Sequence, residues 1–183
     1  MGEFVHLHLH TEYSLLDGAT KISDIADKAI REGQSAVAIT DHGVMYGAVA
    51  FYTALKEKGI KPIIGCEVYV APRSRHHKEG KQDSSGNHLI LLCKNEIGYK
   101  NLSYMVSMSF IDGFYSKPRV DMELIRAHSE GLICLSACIA GKIPQLILAG
   151  SMPEAEATAL ELKEIFGEDF YRSEEHTSEL QSR

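Results

Sequence analysis

Short, wholly apolar runs recur along this chain, each closed by a polar turn and followed by residues at helical spacing. The clearest is Ala36-Val-Ala-Ile-Thr40, which leads through Asp41-His42-Gly43 into an amphipathic stretch at 48–58 ended by Gly59. A strand without a polar face must be covered on both sides. Helices supplied by the crossing chain do this in parallel α/β sheets and barrels, so that is the expected fold class.

The same order is expected elsewhere. A first strand at 4–9 precedes a helix at 22–32, with apolar residues at Ile22, Ile25, Ala26, Ala29 and Ile30, Ser23 or Asp24 as cap and Gly33 as stop. A third strand at 62–65, with an extension at 67–70, precedes a polar surface loop at 72–87. Strands follow at 88–93 and 132–136, and helices at 97–109, 122–128, 143–149 and 154–166. A further strand opens at Phe170-Tyr171.

With 183 residues, 44% of them apolar, one domain with a real core is expected. The formal charge of −6 excludes a surface that holds nucleic acid by charge alone, so any such contact needs metal or further domains. Met1-Gly-Glu-Phe is no signal peptide and no apolar run approaches the roughly 18 residues of a membrane span, so a cytoplasmic protein is expected. Cys66, Cys93, Cys134 and Cys138 lack CxxC spacing, which argues against a zinc ribbon, and a cytosolic setting argues against disulfides.

In α/β folds chemistry gathers where strands end at the carboxyl face. His8 and His10, at i and i+2, point the same way and suit one cation; His6 shares their parity. Asp17 lies in the loop after that strand, and Asp41-His42 closes the next. Glu67 follows Gly65-Cys66 in an apolar strand, where a carboxylate is costly without a cation. His88 precedes its strand, and Cys138 follows the fifth.

Each has an ordinary alternative. Asp17 also fits a turn carboxylate, Asp41 a helix cap, Glu67 a solvated strand end, His88 a core histidine and Cys138 simple packing. His76 and His77, in a polar stretch, are expected to be solvated. As a set, imidazole, carboxylate and thiolate suit Zn, Mn or Fe better than Ca or Mg. Such ions acting together activate water and neutralise phosphoryl charge, the chemistry of a phosphoesterase. No P-loop, GxGxxG or nucleophilic-serine motif competes.

After Tyr171 the sequence turns abruptly polar. Arg172-Ser-Glu-Glu-His-Thr-Ser-Glu-Leu-Gln-Ser182 resembles a translated sequencing-library adapter, so 172–183, His176 included, is set aside as a non-native tail.

The segments HLHLHTEYSLLDG, AITDHGVMYGAVAFY, GIKPIIGCEVYV, HLILLCKNEIGYKNL, GFYSKPRVD and GLICLSACIAG resemble the PHP (polymerase and histidinol phosphatase) domain family, in the form found at the amino terminus of bacterial DNA polymerase III alpha subunits. The resemblance implies that 1–171 is a distorted (β/α)7 TIM-like barrel, incomplete here, holding up to three divalent metals. It implies that His8, His10 and Glu67 hold one, Glu67, His88 and Cys138 a second, and Asp17 and His42 part of a third, with Asp41 catalytic. The family's later Asp-x-His pair is absent from this sequence.

The implied function is that of a metal-dependent phosphoesterase or 3′ to 5′ exonuclease within a DNA-directed DNA polymerase. Its partners would be DNA and replisome subunits, including a proofreading subunit or sliding clamp. A free-standing phosphatase of the histidinol-phosphatase type and a non-catalytic metal-binding scaffold are the alternatives. The isolated chain, short of strands and ligands, is expected to be poorly stable and weakly active at best.

Overall fold

The structure, a computed structural model, describes residues 4–173. Residues 174–183, His176 among them, and 1–3 lie outside the described residues. Strands β1 (Ala36–Ile39), β2 (Lys61–Val70), β3 (Asn87–Cys93), β4 (Arg119–Val120), β5 (Leu132–Leu135) and β6 (Phe170–Tyr171) form one sheet in the order β1-β2-β3-β5-β6, with β4 beside the end of β2. Helices α1 (Ile22–Arg31), α2 (Ala48–Glu57), α4 (Glu96–Ile111), α5 (Met122–Ala127), α6 (Lys142–Leu148) and α7 (Met152–Phe166) fall within two residues of the expected bounds; α3 (Gly80–Ser84) lies in the expected surface loop.

Both faces of the sheet are buried, which is why its strands are mostly apolar. Along β3, Leu89 and Leu91 join one cluster with Leu102 and Met105 of α4, Ile125 of α5 and Leu162 and Phe166 of α7. Ile90 and Leu92 point the other way, to Ala38, Leu135 and Ala137. Leu91, Leu102 and Met105 retain no exposed surface, and such burial contributes about 2–3 kcal/mol per side chain. Asn95 and Asp121 start α4 and α5, their side chains accepting from the amides of Gly98 and Leu124.

The sheet is not parallel throughout, which corrects the expected parallel arrangement. β1 and β2 are parallel, but β3 runs antiparallel to both β2 and β5. A parallel return needs a crossover helix able to cover a sheet face. Between β2 and β3 the chain has only α3, a polar GKQDS turn, so it doubles back instead. The reversal brings the first residues of β3 to the end where β2 finishes, with His88 paired to Tyr69.

The expected strand at 4–9 is an extended segment rather than a regular strand. It bridges β1 only at His6 and Val37, with Ala38 N–H donating to the His6 carbonyl and Thr40 N–H to that of Leu9. None of the helices among the described residues is long and apolar enough to cross a membrane.

Candidate metal centre

The centre is built on Glu67, whose side chain is 1% exposed near the carboxyl end of β2. The β1–β2 pairing continues beyond β1, with Glu67 N–H donating to the Asp41 carbonyl and Gly43 N–H to that of Glu67. This sets His42 beside Glu67. Gly43 makes the exit at φ 65°, where an added Cβ would stand 2.9 Å from Pro118 and 3.1 Å from the Tyr69 ring.

Four imidazoles converge on that carboxylate. Oε2 lies 2.9 Å from His8 Nε2 and 3.7 Å from His10 Nε2; Oε1 lies 2.5 Å from His42 Nδ1 and 2.8 Å from His88 Nδ1. Two three-donor groups result, His8-His10-Glu67 and His42-Glu67-His88, each with its ligand atoms within 4.8 Å of one another. Glu67 belongs to both. Asp17 and Cys138 stand one step out, Asp17 Oδ2 at 2.9 Å from His42 Nε2 and Cys138 Sγ at 3.6 Å from His88 Nδ1. His42 therefore sits with His88 as well as with Asp17, a sharing the motifs did not suggest.

The donor set fits a divalent cation. Each group offers two imidazole nitrogens and an oxygen of the buried Glu67 carboxylate, and His10 keeps a buried Nδ1 without a hydrogen-bond partner. Protonation follows the same geometry. Burial pushes the Glu67 carboxyl up, but hydrogen bonds from His42, His8 and His88 outweigh it and hold the group well below the carboxylate range. Burial lowers His88, yet Cys138 and Glu67 overcome it and raise the imidazole to about 9. Burial, then the neighbouring His42, lowers His10.

The family comparison agrees with this set of motifs. Residues 6–175 match the PHP domain. The chain belongs to the PHP family. Curated relatives of this PHP chain include the DNA polymerase III subunit alpha of Borreliella burgdorferi, 54% identical over 173 residues, and that of Treponema pallidum, 51% identical over 172. The alignments cover 93% and 92% of this chain but only 15% and 14% of those proteins. Among solved structures, an amidohydrolase from Chromobacterium violaceum shares the fold at TM-score 0.51 and 15% identity, over 96% of this chain and 88% of its own.

Within the PHP site, Asp41, the expected catalytic residue, is enclosed by Thr11 and Ser14. It is 1% exposed, and Oδ1 accepts from Thr11 N–H at 2.6 Å and from the Ser14 hydroxyl at 2.7 Å, while Oδ2 accepts from the Thr11 hydroxyl at 2.7 Å. A carboxylate so engaged ties the loop after His10 to the end of β1. Thr11 and Ser14 were missed because a hydroxyl in a polar loop carries no distinguishing pattern. His6 shares the parity of His8, yet its ring lies edge-on to Phe4, 4.7 Å away between centroids, outside the cluster. His76 and His77 are exposed, as expected. All four cysteines are free.

Tyr69 was also missed. One period along β2 from Glu67 and opposite His88, its ring centroid lies 5.2 Å from that of His88 and 6.2 Å from that of His42.

Proposed function

We propose that this chain is the amino-terminal PHP portion of a bacterial DNA polymerase III alpha subunit, and that its site hydrolyses phosphate esters of DNA with divalent metals, as a 3′ to 5′ exonuclease in the complete protein. The observation that carries the reading is the single buried carboxylate of Glu67 shared by two histidine pairs. A shared carboxylate between nitrogen donors is the arrangement that holds two cations close enough to act on one phosphoryl group.

His8, His10 and Glu67 would hold one ion, and His42, Glu67 and His88 a second, with Cys138 reaching the second through its neighbour His88. Asp17, at His42, would serve a third. The donors suit Zn, Mn or Fe. When bound, the metals supply an activated water and charge neutralisation at the phosphoryl oxygens. The chain's own part is to fix the ligands: Asp41 holds the His10 loop to the His42 strand end, and Tyr69 walls the imidazoles of His42 and His88. Relatives named as polymerase subunits support DNA as the partner, together with replisome proteins such as a proofreading subunit or clamp, and a cytoplasmic setting.

The test uses the full-length product of the gene carrying these residues and a labelled single strand. Manganese- or zinc-dependent removal of 3′ nucleotides, abolished by chelator and by Glu67→Gln while DNA synthesis persists, is the expected result. Synthesis with no metal-dependent hydrolysis would leave the scaffold reading standing.

A further inference from the structure

Ser116 and Ala137 are the two non-glycine residues of positive φ among the described residues, both at 62°. A side chain there costs on the order of 1 kcal/mol or more and persists where the surroundings fix it, often beside functional groups. Ala137 precedes Cys138, at the metal centre. Ser116 precedes Lys117.

The Ser116 turn is tightly held. Tyr115 N–H donates to the Lys117 carbonyl at 3.0 Å, Pro118 packs into the space that Gly43 leaves, and Arg119 pairs with Tyr69 in the sheet. The turn presents the Lys117 ammonium over the Tyr69 ring, 4.4 Å from its centroid. On its own side of the sheet that ring meets His88 and His42. Lys117 thus stands one aromatic ring away from the imidazoles gathered on Glu67.

Its charge is also uncommitted. Among the described residues Lys117 has no carboxylate within ion-pair distance, whereas Arg73, Arg75, Lys94 and Arg126 each have one. A cation held over a ring beside a metal centre, in a strained turn and without a counter-ion, is suited to an anion that arrives from solution. The ring contact orients the ammonium and leaves its N–H donors free for oxygen.

We propose that Lys117 is a phosphate-binding residue of this site, contacting a phosphate oxygen of the substrate strand as the neighbouring ester is brought to the metal centre. The assignment rests on the reading of the site as one that acts on phosphate esters. It adds a specific positive contact on a chain whose net charge is −6.

The test measures binding rather than turnover, in the full-length protein with Mn2+, using a short oligothymidylate and inorganic phosphate as separate probes over a range of salt. Lys117→Ala should weaken oligothymidylate binding roughly tenfold, the effect of one charge-assisted hydrogen bond, and lower the slope of log affinity against log salt by about 0.7, one phosphate contact on a single strand. Lys117→Arg should restore both, which separates the contact from a folding defect. Parallel loss of inorganic phosphate binding would assign Lys117 to the reacting phosphoryl group, and its retention to a flanking phosphate; either supports the contact. Unchanged affinity and slope in Lys117→Ala overturns it, as does wild-type protein that binds neither probe. Lys117-dependent binding without hydrolysis would sink the phosphoesterase reading alone.

Discussion

Glu67 and His42 meet at 2.5 Å between Oε1 and Nδ1, from neighbouring strand ends and with the carboxylate out of contact with water. The other nitrogen of the same ring lies 2.9 Å from Asp17. One imidazole is thus suspended between two carboxylates, and one carboxylate among four imidazoles. Removing the Glu67 charge should therefore affect both three-donor groups together. Glu67→Gln is expected to lower Mn2+ affinity by about 100-fold or more, since changes outside the direct ligands already cost 10–100-fold. Calorimetric titration should show both binding events weakened; one event left intact would contradict the shared role.

His88 sets a pH dependence on the metal-free protein. Its pKa of about 9 in the folded state lies above the ordinary 6.5, because Cys138 and Glu67 overcome the effect of burial. The folded state holds this proton more tightly than the unfolded one. The resulting stabilisation is complete below about pH 6.5 and disappears as pH rises through about 9. Urea unfolding in the presence of chelator should show wild type losing more stability than His88→Gln between pH 6 and pH 9.5. Parallel curves would mean that His88 carries no bound proton in the fold.

The strands could be read in advance because both of their faces are buried, so Leu89 through Leu92 form an apolar run whichever way the chain travels. For the same reason the direction of β3 could not be read, since reversing an apolar run leaves it apolar. The direction also decides where His88 lies, which is why a residue at the start of its strand belongs with residues near the ends of theirs. Strand-end position pointed to the residues that gather around Glu67. It could not expose Thr11, Ser14, Tyr69 or Lys117, whose roles depend on contacts between distant segments. Nor could it expose Arg119, which is 0% exposed.

Asp41 is expected to act on stability as well as on the site. Asp41→Asn replaces one acceptor oxygen with a donor facing Thr11 and Ser14, leaving buried groups mismatched at a cost of about 1–3 kcal/mol. The loop carrying His10 would then separate from the strand end carrying His42. Thermal unfolding should show a lowered Tm in chelator, and metal should recover less of it than in wild type. A direct catalytic role for Asp41 would instead leave Tm and metal affinity unchanged while activity falls.

Cys138 tests the choice of metal. Its sulfur, 3.6 Å from His88 Nδ1, adds a soft donor beside the nitrogen and oxygen groups of the candidate centre. Thiolate favours zinc over manganese. Cys138→Ser should therefore weaken zinc binding about tenfold or more and leave manganese binding nearly unchanged. Competition between the two ions provides the measurement, and equal losses for both would place the sulfur outside the coordination sphere.

Arg119 holds the loop between β2 and β3 without a hydrogen bond to the residues of the candidate metal centre. Its Nε donates to the Gly113 carbonyl at 2.9 Å, Nη1 to that of Asp83 at 2.6 Å, and Nη2 to those of Arg75 and His77 at 3.0 Å each. Burial lowers its pKa, yet a guanidinium starts so high that it stays charged. Arg119→Met fills much of the same volume and strips four carbonyls of their donor. Because the loop can open and rehydrate some of them, the expected loss is on the order of 3 kcal/mol rather than the sum of four penalties. Local release should precede global unfolding, so trypsin should cut first at Arg73, Arg75, Lys78 or Lys81. Arg119→Lys, with donors but no planar fork, should fall between the two. If the loop resists trypsin in Arg119→Met as it does in wild type, the loop is held by the Arg73–Asp83 and Arg75–Asp121 ion pairs instead.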